Sequence, residues 1–168
     1  MNTFQPIGLD LASFNPFEKI GNEWMAITAG NSIKVNTMTA SWGGAGVLWN
    51  KNVVFIFVRD SRYTKEFIDA NNTFSINFFD SAQKVALKYF GMVSGRDEDK
   101  IANIRMNVNF KYDTPYIDES RIVVICRKLS ATKLLPEGFL DPAIAENFYK
   151  DKDYHTMYVG EIVELMAR

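Results

Sequence analysis

The chain has 168 residues, 47% of them hydrophobic and 14% aromatic, and its 19 basic side chains against 20 acidic ones leave a formal charge of −1. A globular chain of this length buries roughly 70% of the surface it exposes when unfolded, so it builds a core without a metal or disulfide staple, and residues 1–168 read as a single domain. The charge balance excludes the clustered Lys and Arg that a nucleic acid or an anionic membrane demands, while one cysteine, Cys126, and one histidine, His155, exclude an internal disulfide and a Cys/His zinc site and give a hydrolytic triad no support.

The opening stretch MNTFQPIGLDLASFNPFEKI has neither a basic start nor a continuous apolar run, so no signal peptide or membrane anchor is expected and the protein reads as cytoplasmic. Nowhere does the chain reach the roughly 18 consecutive apolar residues of a membrane span. The first strand is predicted at WMAIT (24–28), with a hairpin turn at AGNS (29–32). VNTMTASWGGAGVLWN (35–50) follows, with the small and hydroxyl residues Thr37, Thr39, Ala40 and Ser41 ahead of Trp42 and a glycine-rich turn at Gly43, Gly44 and Gly46. Small side chains let a flat ligand approach the backbone, whose N–H and C=O groups then read a ring edge; the plainer alternative is a strand entering a glycine-rich hairpin with its tryptophans in the core. The glycines match neither a Rossmann fingerprint nor a P-loop.

NVVFIFV (52–58) is a second strand, and it runs into RDSRYTKEF (59–67). A helix is predicted over 61–72, with Ser61 as N-cap, Tyr63, Phe67 and Ala70 on one face, and Asn71 as terminator. The unpaired N–H groups of a helix start, joined by the guanidiniums of Arg59 and Arg62 and the hydroxyls of Ser61 and Thr64, make a site for a phosphate-like dianion, each charge-assisted bond being worth about 1.5–3 kcal/mol. The alternative has Ser61 only capping the helix while Arg59 and Arg62 pair with Asp60 and Glu66 at the surface. Residues 73–79 alternate Phe74, Ile76, Phe78 against Thr73, Ser75, Asn77, the pattern of a strand with one wet side.

SAQKVALKYFG gives a second helix from Ser81 to near Gly91. In GMVSGRDEDKIANI (91–104), Ser94, Gly95 and Arg96 offer a hydroxyl, a turn and a cation, and Lys100 an ammonium; the ligand spacing of a calcium loop is missing, and a capped helix start with mixed surface charge is the alternative. RIVVICRKL (121–129) and MYVGEIVEL (157–165) are further strands, and Asp141-Pro142 caps and opens a third short helix between them. Strands dominate and are not regularly separated by helices, so a mainly β fold, a closed antiparallel barrel with a few short helices, is expected.

Taken together, residues 36–68 (NTMTASWGGAGVLWNKNVVFIFVRDSRYTKEFI), 94–101 (SGRDEDKI) and 153–162 (DYHTMYVGEI) resemble the flavin reductase-like family of FMN-binding split barrels, similar in fold to the pyridoxamine phosphate oxidases. The resemblance runs from about Trp24 to Leu165 and implies an antiparallel Greek-key split β-barrel. It implies FMN with its ring against the backbone of Thr39, Ala40, Ser41 and Trp42 and its phosphate on Arg59, Ser61, Arg62 and Thr64, with Ser94, Gly95, Arg96 and Lys100 as a second flavin-facing segment. It implies that His155 shapes the pocket or contacts incoming nicotinamide, and that the protein is a homodimer with each flavin near the interface. The expected activity is transfer of hydride from NADH or NADPH through FMN to a flavin, ferric or protein acceptor, which needs no nucleophile from the protein. The rival readings are a non-enzymatic FMN electron carrier and a cofactor-free interaction module.

Overall fold

The β-branched runs form the long strands of an antiparallel sheet, each wide enough to bury one or both faces. In a computed structural model that describes residues 3–9 and 14–168, the strands in chain order are β1 (Gln5–Pro6), β2 (Met25–Gly30), β3 (Val35–Ala40), β4 (Gly43–Leu48), β5 (Lys51–Arg59), β6 (Thr73–Phe78), β7 (Val108–Lys111), β8 (Thr114–Ile117), β9 (Ile122–Lys133) and β10 (His155–Ala167). Part of the opening stretch read above for targeting signals lies outside the described residues. The helices are α1 (Tyr63–Ala70), α2 (Lys84–Met92), α3 (Lys100–Asn103) and α4 (Pro142–Phe148). None is long and apolar enough to cross a membrane.

The main sheet runs β3-β2-β6-β9-β10-β5-β4, with β1 on the far end of β10, and β7-β8 form a separate hairpin. Side chains from β2, β3, β5, β6, β9 and β10 share one core, so the sheet curls around it into a barrel, split because no ladder joins β3 to β4 among the described residues. Val53, Ile56 and Val58 of β5 are fully buried, each contributing about 1.5–3 kcal/mol. A second cluster, with Leu87 and Phe90 of α2, Ile101 of α3 and Ile117 of β8, covers the outer face of β2 around Ala26. Gly160 stands where the β9–β10 register shifts, and the Phe74 ring fills the space that a side chain there would take.

Four local expectations are corrected. The alternating strand β6 has no wet side: Ser75 and Asn77 are fully buried, because Ser75 donates to the Pro115 carbonyl at 2.6 Å and Asn77 Oδ1 accepts from the Ile117 N–H at 2.9 Å. Alternation reveals a polar face but not whether a later hairpin will cover it and satisfy its hydrogen bonds. The first hairpin turns at 31–34 rather than 29–32, since Gly30 still pairs with Val35 and the Asn31 side chain organises the turn by accepting from Ile33 and Lys34. The glycines at 43, 44 and 46 lie within β4; the turn is Trp49–Asn50, whose left-handed φ angles of 52° and 57° suit a two-residue hairpin, and Trp42 and Trp49 are exposed rather than in the core. In α1 the N-cap position is Arg62, not Ser61, and the buried pair is Thr64 and Ile68, not the row of Tyr63, Phe67 and Ala70. Asn71 does end that helix, donating to the Phe67 carbonyl, and Asp141 caps α4 by accepting from the Ala143 N–H.

Candidate functional site

β5 leaves the barrel at Arg59 and α1 begins at Tyr63, so residues 60–62 form a tight turn over the end of β3, closed by an Arg62 N–H to Arg59 carbonyl bond of 3.1 Å. On one side lie the C-terminal end of α2 and the 93–100 loop; on the other lies the connection between β9 and β10, which carries α4. Between them opens a cavity of about 450 Å³. It gathers Arg59, Ser61, Arg62 and Thr64 from the β5–α1 junction with Ser94, Gly95 and Lys100 from the loop, residues separated by up to 41 positions (59 to 100) in the chain.

Arg59, Arg62 and Lys100 are each oriented by main-chain carbonyls. Arg59 donates to the carbonyls of Asp153 at 2.7 Å and Phe148 at 3.0 Å, with its guanidinium over the Tyr149 ring at 5.2 Å. Arg62 donates to the Gly91 carbonyl at 2.9 Å, and Lys100 to those of Phe90 and Val93 at 2.8 and 2.9 Å. The last turn of α2, where carbonyls lack helical partners, is thus gripped by two cations. Burial, with the Arg62 charge nearby, lowers the Lys100 pKa to about 8. Carbonyl partners orient these groups but do not neutralise them: Arg59, Arg62, Lys100 and Lys150 face the cavity against only Asp151 and Asp153. The cavity therefore attracts anions. The alternative pairing of these arginines with Asp60 and Glu66 is not made; Asp60 pairs with Lys133 and Lys65, and Glu66 with Arg96.

One carboxylate already occupies the nest. Asp153 accepts from the Ser61 N–H at 3.0 Å and from the Ser61 hydroxyl at 2.5 Å, one oxygen each. That geometry is a stand-in for a bound anion, made by the groups of the β5–α1 turn that sequence reasoning assigned to a phosphate.

The other expected residues divide. Thr39, Ala40 and Ser41 line a neighbouring shallow cavity of about 270 Å³ against α2, and Met92 borders both cavities. β3 is the last strand of its sheet, so its outer main-chain groups are not taken up by a neighbouring ladder. Trp42 sits on the rim, its ring 5.4 Å from Phe148 and 5.2 Å from His155. His155 is buried behind Arg59 and shares a 2.8 Å hydrogen bond with the Tyr149 hydroxyl; burial and the Arg59 charge lower its pKa to about 4, so the imidazole is neutral at pH 7. Arg96 does not line the cavity but braces the turn from behind, donating to the Ser61 carbonyl at 3.1 Å and pairing with Glu66, with its guanidinium 4.7 Å from the Tyr63 ring centre. Lys100 spends two of its three N–H donors on carbonyls, and Asp99 caps α3, as the helix-start alternative holds.

Among the residues of the site that escaped the sequence reading, Asn36 and Asp153 make its defining hydrogen bonds. Asn36 is buried beneath the cavity and donates to Thr64 Oγ1 at 2.9 Å, locking β3 to α1. Asparagine is a poor strand former, and its place inside the VNTMTA strand was the available signal. Asp153 opens the DYHTMYVGEI segment, directly ahead of the last strand, but nothing local connects it to Ser61.

The family described as flavin reductase like domain matches residues 17–168. The chain belongs to the flavin reductase-like family. No curated protein matches it by sequence. Among solved structures, this flavin reductase-like domain is similar to a flavoredoxin from Methanosarcina acetivorans, with 26% identity, a TM-score of 0.68, and coverage of 87% of this chain and 68% of that one. It is also similar to an FMN-binding domain of a flavin reductases-like enzyme from Shewanella baltica, at 16% identity and TM-score 0.71 over 99% and 78% of the two chains. A third, flavin reductase PheA2 in its native state, is 16% identical with TM-score 0.65 over 92% and 84%. The split-barrel fold of the flavin reductase-like domain is common to all three.

Proposed function

We propose that this flavin reductase-like domain binds FMN and works as an NADH- or NADPH-dependent oxidoreductase that hands electrons to a free flavin, a ferric complex or a protein acceptor. The observation that carries the reading is the electropositive cavity at the β5–α1 turn, whose Ser61 N–H and hydroxyl already hold a carboxylate. Its volume of about 450 Å³ falls within the range of small-molecule sites. When bound, FMN would supply the hydride-accepting chemistry. Arg59, Ser61 and Arg62 would hold its phosphate, and Thr64 and Asn36 would keep the nest in place against β3. The outer main chain of Thr39, Ala40 and Ser41 would face the ring edge, with Met92 between ring and tail. The neutral His155 would keep Tyr149 and the Trp42 side of the rim in position rather than transfer a proton. Ser94 and Gly95 complete the wall next to Arg62.

The exposed β4 edge, with Trp42, Val47 and Trp49, supports a homodimer in which the flavin lies near the interface; light scattering of the purified protein tests it. The similarity to a flavoredoxin favours a second reading, an FMN protein that only relays electrons. Both readings require a yellow protein. Anaerobic addition of NADH or NADPH bleaches the reductase within turnover time, whereas a carrier is bleached only by dithionite. Arg59→Ala is expected to weaken FMN by about 2 kcal/mol, a lost charge-assisted bond, and to leave riboflavin nearly unchanged. Equal losses for both ligands would remove the phosphate assignment.

A further inference from the structure

We infer that Asp153 is the internal competitor of this site: its carboxylate occupies the Ser61 nest until an incoming dianion displaces it, and this exchange decides that the ligand must carry a phosphate tail. The inference rests on the FMN reading above and adds to it the residue that sets the ligand's charge.

The geometry leaves little room for another arrangement. The Ser61 N–H and hydroxyl are both committed to Asp153, at 3.0 and 2.5 Å. A phosphate using the same two donors would bring its oxygens within about 3 Å of the carboxylate, and like charges at such separation in a partly desolvated cavity repel strongly. The two anions therefore exchange. A phosphate monoester carries about −1.5 to −2 charge at neutral pH against −1 for the carboxylate, and has a third terminal oxygen free for a guanidinium, so it wins the nest where a neutral ligand has nothing to offer.

The segment carrying Asp153 crosses the site as a strap, and the exchange asks only that the partly exposed carboxylate rotate away from Ser61 on its own side chain. Its backbone is anchored around the carboxylate: Arg59 holds the carbonyls of Phe148 and Asp153, Tyr149 is buried against His155, and the Tyr154 carbonyl accepts from the Asp60 N–H at 3.3 Å. The same Arg59 that steadies the strap lines the cavity, so phosphate and strap compete for one guanidinium as well as for Ser61. Without ligand, the carboxylate keeps the cavity's cations partly compensated, and the cost of leaving them bare is avoided.

The test compares Asp153→Asn with Asp151→Asn. Both remove one negative charge from the same cavity wall, but only the first loosens the hold on the Ser61 donors, since a carboxamide keeps one neutral acceptor oxygen where the carboxylate had two charged ones. Binding is followed by flavin fluorescence quenching for FMN and riboflavin, and by calorimetry for inorganic phosphate. Asp153→Asn is expected to tighten FMN and inorganic phosphate by about tenfold or more, the scale of one charge-assisted bond, with riboflavin unchanged and Asp151→Asn giving less than about threefold. Asp153→Ala is the second variant and carries the same expectation. Equal tightening by Asp151→Asn would reduce the effect to net charge and overturn the inference, as would unchanged or weaker phosphate binding in both Asp153 variants. The inorganic phosphate arm decides the matter even if FMN is not taken up, an outcome that would overturn the FMN reading alone.

Discussion

Gly95 is the point where a single methyl group tests the architecture of the site. A Cβ there would lie 2.1 Å from Asn36 Oδ1 and 2.9 Å from Asn36 Cγ. Asn36 is only 4% exposed and its amide donates to Thr64 Oγ1 at 2.9 Å, so it cannot yield without breaking the bond that ties β3 to α1. The lost buried hydrogen bond costs about 1–3 kcal/mol and the overpacking a comparable amount, which together put Gly95→Ala at about 3 kcal/mol of lost stability. For a protein of this size each kcal/mol lowers Tm by roughly 2–4 °C, so a fall of roughly 6–12 °C is expected in a circular dichroism melt. The backbone of Gly95 lies outside the left-handed region, so alanine itself is tolerated there. In an Asn36→Ala background the only close neighbour left is the Tyr63 ring, at 3.2 Å, which must give by a few tenths of an ångström, and Gly95→Ala is expected to cost less than about 1 kcal/mol. The reasoning is refuted if Gly95→Ala alone changes stability by less than about 0.5 kcal/mol, or costs the same in both backgrounds, since contacting residues must couple.

Acidification probes His155. Its folded pKa of about 4 lies below the ordinary 6.5, so between those values the unfolded chain binds a proton that the folded chain does not, and stability falls as pH drops through that window. Wild-type protein is expected to lose about 3 kcal/mol more than His155→Gln between pH 7 and pH 4 in urea unfolding, and equal losses would contradict the buried neutral imidazole. Gly160→Ala places a methyl group 2.6 Å from Phe74 Cζ and 3.0 Å from Cys126 Cβ, and overpacking of this kind costs about 1–3 kcal/mol, read as a lower urea midpoint with an unchanged slope. Cys126 is fully buried and its thiol is pushed up by burial, so a thiol reagent is expected to label it only in denaturant; labelling of the native protein at a rate matching a free thiol would contradict the packing of β9.

The chain's own chemistry determined the strands, since β-branched runs such as 52–58 and 121–129 have few other ways to bury themselves, and it determined the ends of helices wherever the deciding contact is local, as at Asp141 and Asn71. The cations and hydroxyls of 59–64 were legible for the same reason: a strand running into a helix leaves unpaired N–H groups beside whatever the turn carries. What only the tertiary structure decided are pairings between residues far apart in the chain. Ser61 reads as a helix cap, yet its hydroxyl goes to Asp153; Ser75 and Asn77 read as solvated, yet a hairpin some forty residues later covers them; Lys100 reads as a free ammonium, yet α2 presents its last carbonyls to it. A polar side chain announces from sequence that it needs a partner. Which partner it finds depends on how the barrel closes, because hydrogen bonds act over about 3 Å and the chain must first be folded to bring such groups that close.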